Sequence, residues 1–204
     1  MGVLSEVRAA THAVHQSLDD HPLLVRFMSQ CDLSAYHGFL KTFQLFLECL
    51  EQYSADYIDE SDRAVFQYRT WLDALHDDLS KMPRFDFHPV TELPSPSNGR
   101  SEFWGILYVM EGSILGGTQV AAAIPQEWPS TFLRRGATTR LRWPTFCRRL
   151  GELETAGVIT SLGVQSGASK AFLSMIQIFD KYLDNARMVP RKVEAAYDRI
   201  ASPE

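Results

Sequence analysis

Cysteine is scarce in this chain. Cys31, Cys49 and Cys147 are the only three among 204 residues, widely spaced and odd in number. They form no CxxC pair, which excludes a readable disulfide framework and a cysteine-held metal centre. The simplest reading is a reducing cytoplasm, with the thiols as small core residues. Long uncharged apolar runs are also missing. No stretch of about 20 residues escapes polar breaks, so no membrane span is expected. The first residues, MGVLSEVRAATHAVH, lack the apolar segment of a secretory signal. Met1-Gly2 with Ser5 matches a myristoylation signal only in part and is discounted. Positive charge is not in excess. The net charge of −5 argues against general nucleic-acid binding. Alternating strand patterns, internal repeats and low-complexity segments are absent as well.

What fills the chain is apolar periodicity of three to four residues. Val3, Val7, Ala10, Val14 and Leu18 predict a helix over 3–18. His21-Pro22 breaks it, and Pro22 can start a short helix through Phe27. Asp32 or Ser34 can cap a long helix over 34–53, whose apolar set includes Tyr36, Phe39, Leu40, Phe43, Phe46, Leu47 and Leu50. Residues 61–80 repeat the pattern with Val65, Phe66, Trp71, Leu72, Leu75 and Leu79. Four prolines make 82–99 a loop. Helices near 100–123, 143–155 and 167–187 follow, with a short one over 191–200. The length suits one domain, 1–204, and the class is all-α.

The helix near 100–123 holds the most informative segment, Tyr108-Val-Met-Glu-Gly-Ser-Ile-Leu-Gly-Gly117. Glycine inside a helix costs roughly 1 kcal/mol relative to alanine, so Gly112, Gly116 and Gly117 imply a use for the missing side chains. Gly105, Gly112 and Gly116 fall on nearly one face, with Ala123 close behind. A bare face admits a flat, bulky ligand or another helix, and the glycines let the helix kink. Glu111 points about 100° away from Gly112 and reads as structural.

On the first helix Arg8, His15 and Asp19 share about one face. A carboxylate one turn beyond a histidine holds its tautomer and improves it as a metal ligand. An arginine two turns back suits a ligand carboxylate. His12 competes as the ligand, with Gln16 as its weaker partner. On its own the signal is weak, because a single helical histidine near an aspartate is more often a surface or packing residue.

Leu4…Arg8-Ala-Ala-Thr11-His-Ala-Val-His15-Gln-Ser-Leu-Asp19, followed about 95 residues later by Tyr108-Val-Met-Glu111-Gly112-Ser113-Ile-Leu115-Gly116-Gly117, resembles the heme oxygenase family. The similarity is closer to its bacterial branch, which includes enzymes supplying biliverdin to bacteriophytochromes. The resemblance implies a single-domain helical bundle with heme between the first helix and a kinked, glycine-bearing distal helix. It implies cleavage of heme by dioxygen, with electrons from an external donor protein or small reductant, to biliverdin, carbon monoxide and ferrous iron. His15 matches the proximal iron ligand, and Asp19 its acidic support. Arg8 and Tyr108 match propionate-binding positions. Gly112, Ser113, Gly116 and Gly117 match the distal segment, with Gly112, Ser113 and Gly116 nearest the chemistry. Ser113 stands where animal members carry an aspartate that organises distal water, so backbone groups and water would take that role here.

Lys170 is a third candidate for a propionate. Phe172 and Phe179, seven apart on the late helix, suit packing on the heme or an ordinary core. Three rivals remain. A di-iron carboxylate site wants paired Glu-x-x-His motifs, and this chain offers only Asp73-Ala-Leu-His76. A heme carrier or sensor would share His15 and the glycines. A helical adaptor would use the glycine face for packing alone.

Overall fold

Local chemistry sets where the helices begin. The Asp32 carboxylate accepts the Ala35 N–H at 3.0 Å, so the longest apolar stretch turns helical at Leu33. His21 Nδ1 accepts the Leu23 N–H at 3.1 Å, and Pro22 supplies the preset φ of a first helical residue. The structure, a computed structural model, describes residues 2–66, 70–85, 96, 99–135 and 142–188. Among them are nine helices and no strand: α1 (Val3–Asp19), α2 (Pro22–Gln30), α3 (Leu33–Tyr57), α4 (Glu60–Phe66), α5 (Leu72–Ser80), α6 (Arg100–Ala123), α7 (Thr131–Arg134), α8 (Arg142–Thr155) and α9 (Ser161–Met188). The all-α class is as expected. Most of the 82–99 loop and the whole of the 191–200 helix lie outside the described residues.

Two expectations need correction. The stretch 61–80 is two helices, not one. Trp71 adopts φ 65°, a left-handed conformation that no α-helix passes through. The burial pattern explains the break. Asp62 and Asp78 are both fully buried, yet on one straight helix they would point about 160° apart. Splitting the segment lets Asp62 accept hydrogen bonds from Arg100 at 2.6 Å and Arg149 at 2.7 Å. Asp78 then accepts the Thr131 and Phe132 N–H groups at 3.0 and 2.8 Å, capping α7. The second correction is the start of α9, six residues before 167. Thr160 Oγ1 accepts the Gly163 N–H at 3.2 Å and opens the helix there. Gly163, Gly167 and two serines in this first stretch are poor helix formers, which hides the start.

Those glycines are explained by packing. A methyl group on Gly167 would sit 2.0 Å from the Glu102 carbonyl oxygen, and one on Gly105 would sit 2.1 Å from that of Val164. Here α6 and α9 meet backbone to backbone. The sequence suggested that Gly105 shares one bare face with Gly112 and Gly116; the structure assigns Gly105 to this seam instead. The other side of α6 rests on α3, α7 and α8. Phe46, Trp104 and Phe146 are fully buried there, each burial contributing roughly 1.5–3 kcal/mol.

The first helix also lies on α9. Val3 and Val7 are its buried anchors. Ser161 Oγ donates to Glu6 at 2.5 Å, and the Val3 N–H donates to Glu154 at 2.9 Å. Thus α1 and α6 both rest on α9 without packing closely on each other, and a slot opens between them.

The seam has a direct test by urea unfolding. Gly105→Ala and Gly167→Ala should each lose at least about 1–3 kcal/mol, the usual cost of overpacking. Gly151→Ala, whose new methyl meets nothing within 4 Å on α8, should gain about 0.5–1 kcal/mol. Equal midpoints for Gly105→Ala and Gly151→Ala would contradict backbone contact at the seam.

Candidate functional site

The slot between α1 and α6 is a cavity of about 750 Å³, within the range of small-molecule and cofactor sites. One wall is α1. Its residues Arg8, Thr11, His12, His15 and Asp19 face the cavity, so the helical spacing brought the expected set together. His15 Nδ1 lies 3.4 Å from Asp19 Oδ2, and both side chains are more than half exposed. The Phe172 ring meets the imidazole edge-on, with centroids 5.1 Å apart. With Nδ1 turned to the carboxylate, Nε2 is the nitrogen left for a ligand. His12 lies on the same wall, but His15 is the histidine held by a carboxylate and an aromatic edge.

The facing wall is α6, through Tyr108, Gly112, Ser113, Gly116 and Gly117. The glycines do different work. A methyl on Gly116 would meet nothing within 4 Å, and one on Gly112 would meet only the Trp143 ring, at 3.5 Å. These two form the bare wall. Gly117 borders the cavity, but a methyl there would stand 2.8 Å from the Leu133 carbonyl oxygen. Its missing side chain is explained by close contact with α7, although the residue still borders the cavity. Ala123 is exposed and lies outside the wall. Ser113 Oγ donates its one proton to the Met110 carbonyl at 2.7 Å, which leaves the hydroxyl oxygen as an acceptor toward the cavity.

Arg8 and Tyr108 stand together, as their assignment to one kind of ligand group requires. Burial raises the Tyr108 phenol pKa, while hydrogen bonding and charge from Arg8 pull it down. Burial likewise raises the Cys147 thiol, against the Arg8 charge. Arg8 is therefore a cation at the Tyr108 end of the cavity.

Phe172 and Phe179 both border the cavity and both are buried. Phe179 packs between His21, at 5.2 Å, and Phe39, at 6.2 Å. Lys170 does not join them. Its ammonium donates to Glu102 at 2.5 Å, Glu102 is fully buried, and Lys170 is not a cavity residue. A buried carboxylate needs a cation partner, and this need places Lys170. Asp73 and His76 are exposed, and His76 lies 3.7 Å from Glu48, away from the cavity.

Several cavity residues carried no readable signal. Trp143 covers the Gly112 side, and Phe43 and Phe132 close the interior. Arg135, in a basic stretch of the sequence, is buried against Phe132. Behind the wall, Glu111 has the structural role its position suggested. Its carboxylate accepts from Arg142 Nε at 2.6 Å and Nη2 at 2.5 Å, and both residues are buried. Such a two-point pair fixes the rotation of α6 and hence the aim of Gly112.

Removing one member strands the other's charge. Glu111→Ala should cost about 3–5 kcal/mol in chemical denaturation, and a loss below about 1 kcal/mol would show the pair to be dispensable.

No family model matches the chain, and no solved structure matches it. Among curated proteins, a heme oxygenase of Xanthomonas campestris pv. campestris (strain 8004) is 30% identical over 99 residues. The match covers 48% of this chain and 58% of that protein, so the chain spans a little over half the length of the relative.

Proposed function

We propose that this protein is a heme oxygenase, taking heme into the slot between α1 and α6 and converting it to biliverdin, carbon monoxide and ferrous iron. The observation that carries the reading is one arrangement. His15, backed by Asp19, faces a slot of about 750 Å³ whose other wall is stripped of side chains at Gly112 and Gly116. A helix-packing glycine has a neighbour where its side chain would be, as Gly105 and Gly117 do. Gly116 has none, and this space suits a flat macrocycle. The named heme oxygenase relative supports the same choice.

In this reading His15 Nε2 holds the iron, and Arg8 and Tyr108 take a carboxylate at the cavity edge. Phe172 and Phe179 pack on the ring. Heme supplies both the iron that reduces dioxygen and the carbon skeleton that is cleaved. The residues of the chain orient and protect. Asp19 fixes the His15 ring, and imidazole, unlike a thiolate, does not push strongly toward O–O cleavage. Gly112 and Gly116 would present backbone rather than side chains to the ring and leave room there for a small ligand. Ser113 Oγ, its proton given to Met110, could accept from a water beside Gly112 and so hold a proton donor without a strong acid. Phe43, Phe132 and Trp143 exclude bulk water. Arg8 and Tyr108 set the rotation of the ring and so the carbon attacked. The reading extends to a single-domain, cytoplasmic enzyme that takes electrons from a donor protein or small reductant and can supply biliverdin to a bacteriophytochrome.

The test is hemin titration followed by a reductant under air. A Soret band should appear on binding, then decay as biliverdin accumulates. A band that persists indicates a carrier, and no band removes heme from the account. His15→Ala should abolish the histidine signature of the complex while His12→Ala retains it. Arg8→Glu should weaken hemin binding on the order of 10-fold, as loss of a charged hydrogen bond implies, or redistribute the biliverdin isomers. Neither effect would remove Arg8 from the site.

A further inference from the structure

A bare wall gives a flat ligand no lateral hold. Gly112 and Gly116 present backbone to the slot, and a methyl on Gly116 would meet nothing within 4 Å. A macrocycle held at its centre by one ligand atom can turn in its own plane against such a surface. Arg8 attracts one edge, but a long side chain with many rotamers follows a turning ring rather than stopping it.

A rigid side chain stands at this end of the slot. Trp143, in the first turn of α8, is partly buried and borders the cavity. The benzo edge of its indole, Cη2 and Cζ3, would lie 3.5 and 3.6 Å from a methyl on Gly112. The indole therefore rests beside the α6 backbone with no side chain between. Its ring lies 5.5 Å from that of Tyr108, tilted by 50°. Cys147, one turn further along α8, feels the Arg8 charge, so this face of α8 closes the Arg8 end of the slot.

Two features hold the indole in place. The first is a stack. Trp143 lies on Phe146 at 5.7 Å and 23°, and Phe146 lies on the fully buried Trp104 at 5.6 Å and 15°. Aromatic pairs at such separations are favourable beyond their burial. The second is register. Arg142, the residue before Trp143, grips both oxygens of Glu111, the residue before Gly112. That pair sets residue 143 against residue 112. Packing alone would be met by a fully buried ring; this one keeps an edge in the slot.

We propose that Trp143 is a specificity-determining residue of the slot, a rigid stop that fixes the in-plane rotation of a flat macrocycle. The inference rests on the heme reading of the slot. It adds a determinant outside both motif helices, acting by shape where Arg8 and Tyr108 act by charge and hydrogen bonding.

The experiment is proton NMR of the ferric complex with a symmetric hemin, in which methyl groups replace the two vinyls. Turning that ring over gives the same complex, so the order of its shifted methyl resonances reports in-plane rotation. The wild type should show one dominant set. Trp143→Ala should show a second set or a changed order, which loss of the indole's own ring current is too small to produce. Its affinity for the symmetric hemin should fall by less than about 10-fold, the scale of one aromatic contact. Trp143→Phe keeps a flat ring on the Phe146 stack and should retain the wild-type set. A single set in the wild-type order in Trp143→Ala overturns the proposal and leaves the heme reading intact. Two comparable sets in the wild type also overturn it, since no rotation is then fixed. Should Trp143→Ala not fold, Trp143→Leu decides, because it keeps apolar volume without a rigid plane: a second set or changed order supports the proposal, and the wild-type set overturns it. A wild-type protein that takes up neither hemin nor its symmetric form overturns the inference together with the heme reading.

Discussion

The cavity depends on the seam where α6 meets α9 with no side chain between them. Gly105 and Gly167 bring carbonyl oxygens of the facing helix to where their own methyl groups would be. That approach fixes α6 against α9 at one end. Because α1 rests on α9 as well, the distance across the slot is set by a third helix rather than by contact between its two walls. A rigid slot can then be lined with glycine without collapsing, because interiors packed at crystal-like density do not close over a gap cheaply. The bare stretch at Gly112 and Gly116 is stable because the backbone behind it is held elsewhere.

Charge is distributed in two tiers around this frame. The buried tier, Glu111 with Arg142 and Asp62 with Arg100 and Arg149, ties α6 to α8 and α4. These pairs hold geometry more than they add net stability, since desolvation offsets much of their attraction. The exposed tier, His15 with Asp19, contributes little energy in water. Its value is orientation, turning one ring nitrogen toward the slot. Arg8 and Arg135 both border the same cavity.

The parts of this arrangement that were legible in the sequence share a physical basis. Arg8, His15 and Asp19 lie on one α-helix, where spacing alone determines a shared face. The long apolar periodicity of α3 located its core residues for the same reason, and the Asp32 cap marked its start. What was not legible arises between distant segments. Gly105 and Gly116 look alike on a helical wheel; only the position of α9 shows that one is packed and the other bare. Lys170 was a candidate only as a cation near the start of the late helix, and the buried Glu102, 68 residues away, takes it. The break at Trp71 is a tertiary override of a continuous apolar pattern. Arg135 sits in a basic, glycine-containing stretch with no periodicity, so no local rule predicts its burial.

The proposed function stands or falls on whether the space between α1 and α6 takes a flat ligand held by His15. A crystal structure of the protein grown with hemin tests it most directly. The account predicts a macrocycle lying between the two helices, its iron at coordination distance from His15 Nε2, and Gly112 and Gly116 against its other face. Hemin held by His12, or bound outside the slot with α1 and α6 unchanged, would contradict it.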